Sequence, residues 1–338
     1  MGPDASAAPG GGAGARPLGR VLVVGASGFF GSALGRRLSG SDVSELVGTS
    51  RNGTGVPAPA TALALDLTDK HAVEQVVSNV RPDTVFQVAG YATGARSLET
   101  VIPTLQVNLV GTVNLLVSCT RLGRPRVVVA SSYEEPAITE AQPLPRSPYA
   151  VAKWSAAGYG RLLHRLYDLP VVNLRVAMGY GPAQRDDRKV VPYLIHALRS
   201  GEPARLSSGT RTVDWIYQED IVDALMAAAR QPGATGATVE IGSGRLHSVR
   251  DLAERLRDLI DPAATLQFGA LQDRPMEDAH AVDVHPAAQI LGWSARTSLD
   301  EGLRLTVDGL PRLTAFTSVP PSDGRKAAPT SKAVTEPG

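Results

Sequence analysis

Three side chains in this sequence have types and spacing that suit proton chemistry. Tyr149 and Lys153 stand four residues apart, which on a helix puts a phenol and an ammonium on one face. A free phenol titrates near 10, and holding one ready to accept a proton at neutrality takes about 4 kcal/mol. A neighbouring cationic amine has the right sign to contribute to that. The pair then suits proton exchange with a hydroxyl or carbonyl oxygen. Ser132 ends the apolar run RVVVASS that precedes the pair, and a hydroxyl at a strand end can share a hydrogen bond with the same reacting oxygen. Ser132 is preferred to Ser131; the alternative is two plain turn serines.

A second cluster suits a phosphate. The stretch VLVVGASGFFGSAL puts Gly25, Gly28 and Gly31, with Ser27 and Phe29 between them, after a β-branched run and at the start of a helical one. Glycines there allow the tight turn, the close approach of backbone to a pyrophosphate, and close helix–sheet packing, while the helix N-terminus faces the phosphates. The same pattern also arises where a helix simply packs on a sheet. A Gly-Lys-Ser/Thr loop is absent. The next run ends Gly48-Thr49-Ser50-Arg51. Hydroxyls and a guanidinium favour NADP(H) over NAD(H), because arginine offers a planar fork to a 2′-phosphate; otherwise Arg51 is a solvated loop charge. Asp66, followed by Leu67, is a candidate acceptor for an adenine amino group or else a helix cap. Asn108 either holds a water or carbonyl in a proton path or is surface polarity.

These residues need elements to position them. Short apolar runs begin at Val21, Glu45, Leu63, Thr84, Arg126 and Pro170, and amphipathic helical stretches lie at 28–38, 69–80, 98–122 and 148–167. Such alternation predicts an α/β fold, a doubly wound parallel sheet with helices on both faces. Beyond Gly181 the texture becomes mixed, with strands near 204–206, 211–216 and 238–241 and helices near 190–200, 218–230 and 249–260. This predicts a dinucleotide-binding domain over 20–176 and a smaller mixed α/β substrate lobe over 177–315, with a cleft between them. Residues 1–19 and 316–338, rich in Gly, Pro, Ala, Ser and Lys, read as disordered tails.

Among 338 residues the formal net charge is +1, with no basic stripe, so nucleic acid is not an expected partner. The one cysteine, Cys119, fits a reducing compartment, and the cytoplasm is the expected location. The six histidines form no metal-ligand spacing, and no metal is expected. No apolar run approaches the ~20 residues that span a bilayer, and no membrane association is expected. Trp154, Trp215 and Trp293 are expected to pack in the core or between lobes.

Together these residues resemble the extended short-chain dehydrogenase/reductase family, in its NAD-dependent epimerase/dehydratase, nucleotide-sugar branch. The similarity runs over about 20–307 and is carried by GASGFFGSAL, NLVGTVNLL, SPYAVAK, LRVAMGYGP, DWIYQEDIVDAL and LGWSARTSLDEGL. It implies a Rossmann-type fold, Ser132, Tyr149 and Lys153 as catalytic triad, and Gly25, Gly28, Gly31 and Asp66 as cofactor positions. Arg211 and Arg274 fall where such proteins set arginine against the nucleotide diphosphate, or else are solvated charges. The chain departs from the family pattern after the serine, reading Tyr133-Glu134-Glu135. Glu134 is retained as an acid or base toward substrate, while Tyr133 in place of an aspartate argues against 4,6-dehydration. Val213 and Met178 stand where an arginine and an asparagine are common. The implied activity is hydride transfer at C4 of a nucleotide-linked hexose by an NADPH-dependent 4-ketoreductase. Alternatives are a 4-epimerase that keeps NAD bound and, from another class, a non-catalytic dinucleotide-sensing protein. In the resembling enzymes two long helices pair across a two-fold axis, which implies a homodimer through 98–122 and 148–167.

Overall fold

A computed structural model of the chain describes residues 15–40, 42–136, 144–273 and 280–311. Its centre is a parallel sheet of seven strands. From the N-terminus come β1 (Gly19–Val24), α1 (Phe29–Leu38), β2 (Val43–Ser50), β3 (Thr61–Ala64), α2 (Lys70–Val80) and β4 (Thr84–Gln87). A composite helix follows, α3 (Val101–Thr104) and α4 (Gly111–Arg121) joined through the wide π-helical turn Leu105–Val110, then β5 (Arg126–Ser132), α5 (Pro148–Tyr167) and β6 (Val171–Val176). All six expected apolar runs are strands of this sheet. Their side chains alternate between two buried layers. Val21, Val23, Val128 and Leu174 pack with Leu34 of α1, and Leu22, Val24, Val127 and Val129 pack with Val77 of α2 and Leu115 of α4. Apolarity on both faces is what a sheet covered by helices on each side requires.

The remaining elements are β7 (Met178–Tyr180), α6 (Val190–Ser200), β8 (Ala204–Arg205), β9 (Thr212–Tyr217), α7 (Gln218–Arg230), β10 (Thr238–Ile241), β11 (Leu246–Ser248), α8 (Val249–Ile260), β12 (Leu266–Gln267), α9 (His285–Leu291) and α10 (Leu299–Gly309). β7, β9 and β11 form a small mixed sheet and β8 pairs with β12. Tyr193, Leu194, Trp215, Leu252 and Leu303 are among the side chains of their separate core.

Two expected boundaries are corrected. α7 packs on α1, β5 and β6, and β10 pairs in parallel with β6, so 218–241 returns to the large sheet and a single cut after 176 does not divide the chain. The tail expected through 19 ends earlier: Leu18 is fully buried and Arg16 donates to the Asp83 carbonyl at 2.9 Å. Most of the expected N-terminal tail and all of 316–338 lie outside the described residues. Leu98–Arg121 runs as one helix of 24 residues whose most apolar 18-residue stretch has mean hydropathy 1.5, long and apolar enough by length and composition to cross a membrane. Polar residues interrupt it in sequence, and one side of it, including Thr104, Asn108, Leu115 and Cys119, is buried in the protein.

Strand order is β10-β6-β5-β4-β1-β2-β3. The winding reverses between β1 and β4, and the crevice above that reversal, at the carboxyl ends of the strands, is where such sheets bind ligands. The turn after β1, the loop after β4 and the end of β5 all open there.

Candidate active site

The glycine turn is built from close contacts. Gly25 has φ +92°, and a Cβ there would lie 2.6 Å from Ala89 Cα; a Cβ on Gly31 would lie 2.1 Å from the Gly25 carbonyl oxygen. Neither position admits a side chain. Gly25 and Ala26 both donate to Thr49 O, which ties the turn to β2. Gly28 caps α1 without a side-chain hydrogen bond, and no acidic residue stands in the first turn. With Ser27 and Gly28 exposed, the positive end of α1 faces outward above a cradle of bare backbone, which fits a dinucleotide pyrophosphate.

At the far end of the crevice, Arg51 is exposed in the turn after β2. Asp66 is exposed too. Its Oδ1 accepts from Thr68 N at 2.9 Å and Thr68 Oγ1 at 2.8 Å, and these bonds, with the nearby Arg51 charge, hold its carboxyl below the usual range. The cap of α2 is Asp69, not Asp66. Leu67 is buried against Gly111 of α4.

Tyr149 and Lys153 share a face of α5, as their spacing predicts. Ser147 caps this helix, accepting from Ala150 N at 3.0 Å, and Pro148 opens it. Lys153 Nζ is buried, donates to Ala130 O of β5 at 2.8 Å and lies 6.0 Å from the Tyr149 ring centre. The Tyr149 phenol, partly buried, is hydrogen-bonded to the Ser132 hydroxyl. Burial, and then the charge of Glu134, pushes this phenol above its ordinary value, while burial pulls the Lys153 ammonium down to about 8 against the charge of Glu135. Proton transfer near neutrality therefore needs further positive charge beside Tyr149, the sign that an oxidised nicotinamide carries.

The loop after β4 joins the two clusters. Ala89 lies against Gly25, and a Cβ on its neighbour Gly90 would lie 3.4 Å from Lys153 Nζ and 3.0 Å from Asn108 Oδ1. Asn108 is fully buried in the π-helical turn, accepting from Tyr91 N at 2.7 Å and donating to Tyr91 O at 3.2 Å. It is therefore not surface polarity, and wide turns of this kind recur at functional sites.

On the substrate side, Glu134 is partly exposed and its N–H donates to Ser132 Oγ at 3.2 Å. Arg211 is hydrogen-bonded to the Tyr133 phenol, which burial pushes up, and Tyr133 also meets His280 with ring centres 5.3 Å apart. Arg211 thus reaches the turn beside Ser132. Arg274 lies outside the described residues. Glu135, passed over in the sequence, is buried here: its Oε1 accepts from Ser132 N at 2.8 Å and from the Ser131 hydroxyl. An acidic doublet after a strand was its only signal, and that does not say which member turns inward.

The family model described as "Epimerase: NAD dependent epimerase/dehydratase family" matches residues 21–242. A UDP-glucose 4-epimerase of Mycolicibacterium smegmatis is 28% identical over 308 residues, 86% of this chain and 97% of that protein. A dTDP-glucose 4,6-dehydratase of Haemophilus influenzae is 26% identical over 329 residues, 85% of this chain and 96% of that protein. Among solved structures, the UDP-glucose 4-epimerase of Thermus thermophilus in complex with NAD superposes with a TM-score of 0.75 at 28% identity, covering 86% of this chain and 98% of that one.

Proposed function

Because the chain belongs to the NAD dependent epimerase/dehydratase family, we propose that it moves hydride at C4 of a nucleotide-linked hexose, as an NADPH-dependent 4-ketoreductase. One observation carries the proposal: the proton-exchanging face of α5 and the glycine turn after β1 meet through consecutive residues, Gly25 against Ala89 and Gly90 against Lys153. A single extended dinucleotide is the kind of ligand that reaches both. When bound, it supplies the hydride.

In this role Gly25, Ser27, Gly28, Phe29 and Gly31 hold the pyrophosphate, Asp66 and Leu67 the adenine end, and Lys153 a ribose hydroxyl. Tyr149 gives its phenolic proton to the C4 oxygen as the carbonyl becomes an alcohol, and takes it back in the reverse direction. Lys153, in its charged form, favours the phenolate left behind. Ser132 hydrogen-bonds the same oxygen. Asn108, fixed by Tyr91, holds the wall behind Lys153, and Glu134 and Arg211 meet the hexose and its diphosphate. Dehydration is disfavoured because Tyr133, at the position where a 4,6-dehydratase has its aspartate, is a phenol pushed up by burial and tied to Arg211.

NADP(H) is preferred in the proposal because Arg51 is exposed beside Asp66, where it can meet a 2′-phosphate. Similarity to UDP-glucose 4-epimerases, one of them in complex with NAD, favours a second reading: epimerisation with the nicotinamide retained through each cycle. Purified protein separates the two. The ketoreductase oxidises added NADPH in step with loss of a nucleotide-linked 4-keto sugar; retained nicotinamide with no NADPH consumption assigns the epimerase instead.

The active form is proposed to be a homodimer. Leu98, Ile102 and Leu105 on the composite helix and Tyr159, Leu162 and Leu166 on α5 are all exposed. On α5 these stand at helical spacing along one apolar stripe, as a self-complementary four-helix contact requires. A cytoplasmic location accompanies the proposal, since Cys119 is a free buried thiol and nucleotide-linked sugars are water-soluble.

A further inference from the structure

Beneath the first turns of α5 the sheet carries a row of polar side chains where aliphatic ones are usual. Register places Ser131, Arg175 and Glu240 side by side on β5, β6 and β10. Arg175 is almost fully buried, pairs with Glu240 Oε1 at 3.0 Å and donates to the main-chain oxygen of Glu135. Glu135 folds back over this row, also buried, with Oε1 taking both the Ser131 hydroxyl and the Ser132 N–H. Burial pushes this carboxyl up, and its bonds to Ser131 and Ser132, then the charges of Arg175 and Lys153, pull it back toward the ionised form. Lys153 stands on the helix above with Nζ on Ala130 O at 2.8 Å, one residue before the Ser131 that Glu135 holds, and there the Glu135 charge acts on it.

We propose that Glu135 is a positioning residue for the reacting pair: its buried carboxylate is the fixed counter-charge of Lys153 and the acceptor that shapes the turn carrying Ser132. Two jobs meet in one group. The bond to Ser132 N sets the strand end so that the Ser132 hydroxyl faces Tyr149, and the negative charge keeps the amine protonated although burial opposes it. The other groups around the pair are Glu134 and Tyr133 on the same turn, Arg211 beside Tyr133, Arg175 on β6 and Glu240 on β10. Glu135 is the one whose carboxylate is bonded directly to the Ser132 backbone.

The inference rests on Tyr149 and Lys153 being the proton-exchanging pair, so its test reads titration as well as turnover. In full-length protein carrying carbon-13 lysine, the Lys153 resonance is assigned by its loss in Lys153→Met and followed against pH. Glu135→Gln keeps the shape and removes the charge, so the Lys153 midpoint should fall by roughly half a pH unit or more, and the alkaline limb of turnover should move with it. Glu135→Asp, which keeps the charge, should restore most of the difference. An unmoved midpoint in folded Glu135→Gln overturns the inference and leaves the ketoreductase proposal standing; a shifted midpoint without turnover on any 4-keto sugar does the reverse. Should Glu135→Gln not fold, the carboxyl resonance of Glu135 in the wild-type chain decides. It must be ionised while Lys153 titrates, and a Glu135 still protonated at the Lys153 midpoint overturns the inference.

Discussion

Replacing Lys153 by methionine should make the folded protein more stable at neutral pH, not less, while abolishing turnover. Lys153 is 6% exposed, and burial takes its ammonium from 10.5 down to about 8 in the folded chain. At about 1.4 kcal/mol per pH unit, that difference makes the charged lysine unfavourable to folding by about 3 kcal/mol wherever both states are protonated, well below pH 8. Between about 8 and 10.5 the unfolded chain keeps the proton and the folded chain has lost it, so wild-type stability rises with pH and the penalty disappears. Methionine has no such penalty but forfeits the hydrogen bond to Ala130 O, about 1 kcal/mol. The variant should therefore lead by about 2 kcal/mol at neutral pH, and the wild type should overtake it near pH 10. Urea unfolding followed by circular dichroism, at several pH values on both sides of the Lys153 midpoint, measures this directly. A variant less stable than wild type at neutral pH, or a stability difference that does not change with pH, refutes the reasoning.

Three further outcomes follow from particular contacts. Gly31→Ala puts a methyl 2.1 Å from the Gly25 carbonyl oxygen; it should lower stability by about 1–3 kcal/mol and abolish dinucleotide binding by calorimetry, and normal binding would contradict the cradle. Arg51→Asp should weaken NADPH binding by roughly 10- to 100-fold with little loss for NADH, read as the ratio of dissociation constants by nicotinamide fluorescence. An unchanged ratio removes Arg51 from cofactor choice. Leu166→Arg, at a position 61% exposed, should convert dimer to monomer in light scattering without unfolding the chain; a persisting dimer places the contact elsewhere.

Where the sequence carries a local signal, the structure follows it closely. The helices expected at 148–167, 190–200, 218–230 and 249–260 have those bounds, because Pro148, Ser248 and Gly201 mark ends and apolar residues recur every three or four positions between them. β10 shows the opposite case. Four residues, Thr238–Ile241, carry strand character but nothing that names a partner, and the partner is β6, more than sixty residues earlier. Proximity along the chain alone places β10 with the nearer lobe. The site divides similarly. Tyr149, Lys153 and the glycines are legible because helix and turn geometry fix their relations locally. Glu135, the burial of Asn108 and the meeting of Arg211 with Tyr133 depend on how distant segments close over one another, which no spacing encodes.

The central claim is that the Tyr149 phenol exchanges the proton while separate residues hold the dinucleotide. Tyr149→Phe tests it most directly, with turnover on a nucleotide-linked 4-keto sugar and dinucleotide affinity measured on the same preparation. Turnover is predicted to fall by about 10²- to 10⁴-fold with affinity changed less than about twofold. Turnover that survives the substitution would contradict the claim.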